Sequence, residues 1–257
     1  MRKWYVSTAL AVALSGGILA SEADFEQGLK ALASKDWDAA INLMENALAG
    51  DADNIKYASE YRQAVLARAK SLHPKDGQPA DFDRSLKFFE KLTADHPQAP
   101  NAFLNYGFAY VDKMPAAGAI TQVILANTAL SHFSKSIELK PTWIAYYTRG
   151  NSYLFWPKIF NRTHLGVADL QEAMKLQAGQ RHAYYVRTYV ALGDGYWKMD
   201  DTASATKTWR DGLALFPASD ALKARLARQG DELKALIDAS YDPAKRVDTS
   251  LRDLWSE

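Results

Sequence analysis

A pattern of large and small residues between Tyr189 and Pro217 constrains the fold more than any other feature of the sequence. Separations of three and four residues place side chains on one face of an α-helix, and a wider gap divides the pattern into two such helices. Gly193 and Ala205 are small enough to let the two helices approach closely, and Pro217 ends the second helix because it lacks an amide proton. The pattern therefore predicts a tightly packed helical hairpin. Its eight positions are Tyr189, Leu192, Gly193, Tyr196, Ala205, Trp209, Gly212 and Pro217.

The same frame recurs upstream, so residues 24–218 divide into five consecutive segments. The first and fifth segments keep the spacing closely, whereas the middle three carry insertions between their two helices. A single hairpin of this size cannot bury its apolar face alone, so neighbouring hairpins are expected to stack. The segments are residues 24–54, 55–99, 100–142, 143–181 and 182–218.

This pattern resembles the signature of the tetratricopeptide repeat (TPR) family, whose repeat has about 34 residues. The fifth segment fits at all eight positions, with Gly212 in place of the usual alanine. The resemblance implies an all-α fold, a TPR-like superhelix of about five helix-turn-helix repeats with insertions and a C-terminal capping helix. In this family the first helix of each repeat, helix A, lines a concave groove that binds partners.

Carrying the groove positions of the family onto this chain implies a partner-binding groove lined by helix A. Its aromatic rings and arginine would supply a large contact area with little loss of entropy, which suits a protein or peptide partner. The basic and amide clamp that some relatives use on C-terminal carboxylates is matched only in part, so that mode of binding is not expected. The alternative is that several rings pack against the next repeat or the insertions. The implied groove residues are Phe108, Tyr147, Asn151, Phe155, Arg187, Asp194, Trp197 and Lys198, with Asn101, Leu104 and Asp112 as further positions in the third repeat.

An apolar insertion, residues 155–162, separates the two helices of the fourth repeat. Trp156 and Phe160 are more apolar than an ordinary turn between helices requires, and Pro157 ends the preceding helix. Either the insertion folds onto the repeats as a plug, or Trp156 and Phe160 present an apolar contact to a partner. The sequence leaves both alternatives open.

The residues that follow the fifth repeat predict a cap and a tail. Residues 219–241 carry an apolar stripe opposed by charged side chains, with Ser219 as N-cap, so they predict one capping helix over the last repeat. Residues 242–257 form a tail that docks onto the repeats, binds a partner or is disordered. The apolar residues of this tail are Leu251, Leu254 and Trp255.

Residues 1–23 have the composition of a secretory signal peptide. Arg2 and Lys3 precede an apolar run of about 13 residues, which is shorter than the roughly 20 that span a bilayer. Ser21 and Ala23 occupy the small positions that a signal peptidase recognises, so cleavage is predicted after Ala23, with a retained anchor as the alternative. Without the leader the chain carries equal numbers of acidic and basic residues. The mature protein is expected in the periplasm, without stable membrane insertion.

The sequence contains no grouping of residues that is typical of an enzyme or a metal site. It has no cysteine, and no two of its five histidines have the spacing of metal ligands. It contains neither a phosphate-binding glycine loop nor a nucleophile motif. Its balanced charge argues against a nucleic-acid surface. We therefore expect no catalysis, no cofactor and no nucleic-acid partner.

Together these features predict an exported, non-enzymatic scaffold or adaptor. It would bind a protein segment in the groove and serve the assembly or regulation of an envelope complex. The alternative is a periplasmic TPR component of a transporter, in which the insertions close the groove around a small apolar ligand. An open groove would favour the scaffold, whereas a cavity enclosed by Tyr147, Phe155 and Trp197 would favour the ligand carrier.

Overall fold

The computed structural model describes residues 7–243 and 245–255, and in this part of the chain all regular structure is helical. This confirms the predicted all-α fold class. Five short 3-10 helices accompany the α-helices, at Pro79–Phe82, Met114–Ala116, Lys158–Phe160, Ala183–Tyr185 and Arg252–Leu254. The α-helices are α1 (Ser7–Ala33), α2 (Trp37–Gly50), α3 (Ile55–Leu72), α4 (Asp83–Asp95), α5 (Pro100–Lys113), α6 (Ala119–Leu139), α7 (Trp143–Leu154), α8 (Thr163–Leu176), α9 (Val186–Lys198), α10 (Thr202–Leu215), α11 (Asp220–Leu226) and α12 (Gly230–Ser240).

The chain divides into two compact units. Unit 1 contains the residues up to His132 together with the segment Asp248–Arg252. Unit 2 contains Phe133–Val247 and the residues from Asp253 onward. Five residues near the C-terminus therefore belong to unit 1, although the helices that precede them in the chain belong to unit 2.

The core of unit 1 contains a chain of aromatic contacts between its helices. Phe25 of α1 stacks on Tyr57 of α3, with ring centroids 4.3 Å apart. Tyr61, one turn further along α3, meets Phe89 of α4 edge-on at 5.6 Å, and Phe89 stacks on Tyr106 of α5 at 6.2 Å. Such pairs add to the free energy that apolar burial contributes. These contacts connect α1, α3, α4 and α5 in turn.

The helices of unit 2 approach one another closely at the small residues of the repeat frame. A Cβ atom on Gly193 would lie 2.1 Å from Nε1 of Trp209, and one on Gly212 would lie 2.6 Å from Cβ of Tyr189. Neither position has room for a side chain, and Ala205 is fully buried in the same core. The packing roles predicted for Gly193, Ala205 and Trp209 are therefore confirmed.

Polar side chains cap the helices of unit 2 at their N-terminal ends. The Asp201 carboxylate accepts a hydrogen bond from the amide of Ser204 at 3.0 Å, at the start of α10. The Ser219 hydroxyl accepts one from the amide of Leu222 at 3.3 Å, at the start of α11. Each bond satisfies an amide that has no partner within its helix. The predicted N-cap at Ser219 is thus confirmed.

The prediction of one continuous capping helix over residues 219–241 is wrong, because the chain forms two helices there. α11 ends at Leu226 and α12 begins at Gly230. Gly230 has a φ angle of 52°, which a right-handed helix does not tolerate and which glycine adopts without steric cost. The apolar stripe continues across this break, so the periodicity alone did not reveal it.

The predicted signal peptide overlaps α1, except for residues 1–6, which lie outside the described residues. α1 continues without a break through the predicted cleavage position after Ala23. Phe25, just beyond that position, is 1% exposed and belongs to the unit 1 core. Within the described part of the chain, no helix is both long and apolar enough for a membrane span.

Candidate functional site

Helices α3 and α5, the predicted A helices of the second and third repeats, share a buried polar cluster in unit 1. Arg62 of α3 is 1% exposed. It donates hydrogen bonds to Oδ1 of Asn105 at 2.9 Å and to Oδ2 of Asp112 at 2.8 Å. The guanidinium carbon also lies 4.8 Å from the centre of the Phe108 ring. A buried charge requires such partners, so the cluster is organised around Arg62.

The segment Asp248–Arg252, termed the tail segment, lies against this cluster. Arg62 donates from Nη2 to the main-chain oxygen of Thr249 at 2.7 Å. The Thr249 hydroxyl donates to Oδ1 of Asp112 at 2.5 Å, so the two oxygens of that carboxylate accept from different partners. The side chains of α3 and α5 thus contact both the backbone and a side chain of the tail segment.

The next residues of the tail segment contact the adjoining part of α3. The Ser59 hydroxyl donates to the main-chain oxygen of Ser250. Arg252 forms a two-pronged ion pair with Glu60, at 2.8 Å from Nε and 2.6 Å from Nη2, and these hydrogen bonds raise the pKa of Arg252. Leu251, between them, is buried and has a φ angle of 55°, a strained conformation for a residue with a side chain. Residues 248–252 of the tail predicted from the sequence therefore dock in unit 1.

In unit 2, the groove position Asp194 of α9 is fully buried. Arg225 of α11 donates to both of its carboxylate oxygens, at 2.5 and 2.6 Å, and the Tyr241 hydroxyl donates to it at 3.0 Å. Burial raises the pKa of Asp194, although its hydrogen bonds with Arg225 and Tyr241 act in the opposite direction. The prediction of Asp194 as an open groove residue needs correction, because residues of the cap cover it.

Two further groove positions of unit 2, Phe155 and Lys198, also contact the chain's own C-terminal region. The Phe155 ring meets the Tyr241 ring edge-on at 5.2 Å. The Lys198 ammonium lies 4.5 Å from the centre of the Tyr241 ring and donates to the main-chain oxygen of Leu154. Burial lowers the pKa of Lys198. Tyr241 therefore occupies the space beside both predicted positions.

The remaining groove positions of unit 2 are less deeply buried. Arg187 forms an ion pair with Asp253, and both side chains are partly exposed. Tyr147 stacks on Trp143 with ring centroids 5.2 Å apart. This part of the surface is thus partly accessible and carries an arginine beside aromatic rings. The two other predicted positions, Asn151 and Trp197, are half-buried.

The insertion of the fourth repeat combines a buried ring with an exposed apolar tip. Trp156 is 8% exposed, and the Arg162 guanidinium lies 3.9 Å from the centre of its ring. Phe160 meets Trp156 edge-on at 5.3 Å, yet 49% of Phe160 remains exposed, as does 88% of Ile159. The Trp156 ring is therefore buried and contacts other residues of the insertion, while Phe160 and Ile159 are accessible to a partner.

The sequence-based prediction omits five residues of α3 and the cap that form these clusters, as well as their partners Asn105, Thr249, Ser250 and Arg252. Because the second repeat carries an insertion, the groove positions of the family were not carried onto its helix A. That helix provides three of the five residues. The other two lie in the cap, and nothing in the repeat frame places cap residues over helix A. The five residues of α3 and the cap are Ser59, Glu60, Arg62, Arg225 and Tyr241. Across the described residues, no group of three or more histidine, aspartate or glutamate side chains is arranged to hold a metal ion.

No protein-family model and no curated protein sequence matches the chain. Solved structures do match its fold. TTC0263, a TPR protein of Thermus thermophilus, has a TM-score of 0.54 at 20% identity, over 81% of this chain and 97% of that one. A MamA structure has a TM-score of 0.50 at 14% identity, over 82% of this chain and 96% of that one, and a second MamA structure scores 0.50 at 16% identity over 74% and 95%. The chain therefore has the all-α, TPR-like fold that its repeat frame predicts.

Proposed function

We propose that this protein is a non-enzymatic protein-interaction scaffold that binds polypeptide segments on its A helices. The observation that carries the proposal is the contact between α3 and the tail segment. There, Arg62 and Ser59 donate hydrogen bonds to main-chain oxygens, which any polypeptide presents. A surface that recognises backbone in this way suits a protein ligand.

The surroundings of the buried carboxylates support a structural role for them. Asp112 is paired with Arg62, and Asp194 is paired with Arg225. A general base needs a carboxylate that reaches substrate, whereas these two carboxylates are held by arginines inside their own units. They stabilise the surfaces that helix A presents, which is consistent with binding rather than catalysis.

Contacts of the aromatic rings favour a protein partner over an enclosed small ligand. Tyr147 stacks on Trp143, and Phe155 contacts Tyr241. Tyr147 and Phe155 are two of the three rings expected to enclose an apolar cavity, together with Trp197, and each of the two is in direct contact with another ring of unit 2. The partly exposed Arg187 beside them is a better match for a protein surface.

We propose further that the protein is exported and acts in the periplasm, in the assembly or regulation of an envelope complex. The support is the leader-like composition of residues 1–23. Cleavage after Ala23 would retain Phe25 and its stack on Tyr57. N-terminal sequencing of the protein from the envelope fraction tests this, and we expect the mature chain to begin at Asp24. Recovery of the chain in the cytoplasm with its N-terminus intact would contradict export.

Partner capture tests the scaffold proposal. The wild-type protein and the double variant Arg187→Ala/Trp197→Ala are used as baits on the native envelope fraction, and bound proteins are identified by mass spectrometry. We expect the double variant to lose partners that the wild type retains. Lys91→Ala is the matched control, because Lys91 belongs to an exposed ion pair with Asp95 in unit 1. Equal recovery of partners by all three baits, with unchanged thermal unfolding, would contradict binding at the surface of unit 2 around Arg187 and Trp197.

A further inference from the structure

The tail segment contacts unit 1 through side chains that distinguish one sequence from another. The Asp112 carboxylate accepts from the Thr249 hydroxyl, and valine at that position could not replace this donor. Both carboxylate oxygens of Glu60, itself 4% exposed, accept from one edge of the Arg252 guanidinium, through Nε and Nη2, a geometry that lysine cannot reproduce. The surface therefore selects a hydroxyl residue followed, three positions later, by an arginine.

Two further contacts are made to the backbone of the tail segment. Arg62 and Ser59 donate to the main-chain oxygens of Thr249 and Ser250. The four donors and acceptors of unit 1 thus contact consecutive parts of one segment, which is irregular as far as Leu251 and begins a 3-10 helix at Arg252. This arrangement matches that of a peptide-binding site: backbone contacts supply affinity and side-chain contacts supply selectivity.

We propose that the α3–α5 surface of unit 1 is a binding site for a partner segment that carries a hydroxyl residue and, three positions later, an arginine, and that the tail segment is its exchangeable internal occupant. The inference rests on the proposed scaffold function and names the chemistry of the partner. A partner segment would take over the contacts of Thr249 and Arg252. The tail segment would then leave the surface.

The nature of the contacts makes the tail segment replaceable. It is held mainly by hydrogen bonds and an ion pair, which water or another polypeptide can supply after release. The Arg252 side chain is half exposed, and Leu251 adopts a left-handed backbone conformation that a partner with glycine there would adopt without strain. In unit 2 the neighbouring pair between Arg187 and Asp253 is also partly exposed, so its loss on release has a small cost.

Hydrogen exchange on the wild-type full-length chain tests the exchange directly. The probe is the synthetic peptide VDTSLRD, which has the sequence of residues 247–253. Adding it should accelerate amide exchange within the tail segment, because the peptide and the segment compete for one surface. The matched peptide VDVSLED lacks the hydroxyl and the arginine and should leave exchange unchanged. Equal exchange with and without VDTSLRD, up to millimolar peptide, overturns the proposal.

A variant with a weakened tail segment provides a second, independent measurement. In the full-length chain, Thr249→Val/Arg252→Glu removes the hydroxyl and reverses the charge opposite Glu60. This variant should bind VDTSLRD at least about tenfold more tightly than the wild type does, because its site is vacated. Adding Glu60→Gln should weaken that binding by about tenfold. Equal peptide affinity of the wild type and the double variant overturns the proposal.

The two proposals fail in different ways. Displacement of the tail segment by VDTSLRD supports the inference even if the envelope fraction yields no partner, in which case the scaffold function fails alone. Conversely, equal amide exchange in the tail segment with and without VDTSLRD overturns the inference, and capture of a partner through Arg187 and Trp197 then leaves the scaffold function standing. The wild-type exchange measurement needs no variant to fold, so it decides the question by itself.

Discussion

The indole of Trp209 occupies the space that a side chain at position 193 would need. A Cβ atom built on Gly193 would lie 2.1 Å from Nε1 and 2.4 Å from Cδ1 of Trp209. Both atoms belong to a ring that is 2% exposed and packed on all sides, so the ring has little freedom to move away. The contact between α9 and α10 therefore depends on glycine at this position.

Replacing Gly193 should destabilise unit 2. Alanine is a better helix former than glycine by about 1 kcal/mol. Forcing a methyl group against the indole costs more, so we expect Gly193→Ala to lower the free energy of unfolding by about 2 kcal/mol net. Denaturant unfolding measures the difference. Gly118→Ala is the control, since a Cβ atom there has no neighbour within 4 Å; an equal effect of both substitutions would contradict the steric explanation.

Removing the partner of Asp194 should be among the most damaging single changes in unit 2. Arg225→Met would leave a fully buried carboxylate with Tyr241 as its remaining donor, and we expect a loss of about 3 to 5 kcal/mol in the free energy of unfolding. The double variant Asp194→Asn/Arg225→Met should lie closer to the wild type, because no uncompensated charge stays buried.

The control for the Arg225 variant lies two residues away on the same helix. Lys223 forms an exposed ion pair with Asp220 at 3.8 Å. Lys223→Met should change the free energy of unfolding by no more than about 0.5 kcal/mol. If Lys223→Met and Arg225→Met were equally destabilising, burial of the Asp194 pair would not be the cause.

His132 should make unit 1 less stable in mild acid. Its ring packs on Tyr106 and Tyr110, and burial lowers the pKa of His132 from 6.5 to about 4. The unfolded chain therefore binds a proton more readily than the folded chain does. The stability that the neutral ring supports is fully present above pH 6.5 and is lost as the pH falls toward about 4, by about 2 kcal/mol once solvent screening of the partly exposed ring is allowed for.

A comparison with His132→Phe isolates this contribution. Phenylalanine keeps an aromatic ring against Tyr106 and cannot take up a proton. As the pH falls from 6.5 to about 4, the free energy of unfolding of the wild type should fall relative to that of the variant. Above pH 6.5 the difference between the two free energies of unfolding should stay constant. Parallel curves over the whole range would show that His132 does not titrate differently in the two states.

The repeat frame predicted the helical hairpins well because their packing depends on local spacing. Gly193 and Trp209 could be paired from sequence, since helix geometry and one short turn determine which residues face each other. Ser219 could be recognised as an N-cap for the same reason. Local rules of this kind carry over from one repeat to the next.

The chemistry of the candidate surfaces escaped prediction because it depends on contacts that are distant in sequence. Asp194 was assigned to an open groove from its position on helix A, and only the placement of Arg225 and Tyr241 shows that it is covered. Periodicity also continued across Gly230, so the break between α11 and α12 was missed. The position of a residue within a repeat predicts which side of its helix it occupies, but not which residues from other parts of the chain pack against that side.

The position of the tail segment in the chain affects how the protein is completed during synthesis. Arg62 and the residue whose carbonyl it contacts, Thr249, are 187 positions apart. A ribosome produces Glu60, Arg62 and Asp112 well before their partners in the tail segment, so the emerging α3 and α5 lack these ligands while the residues in between are translated. During that interval the nascent chain presents an unoccupied peptide-binding surface, and a partner made at the same time could reach it before the tail segment does.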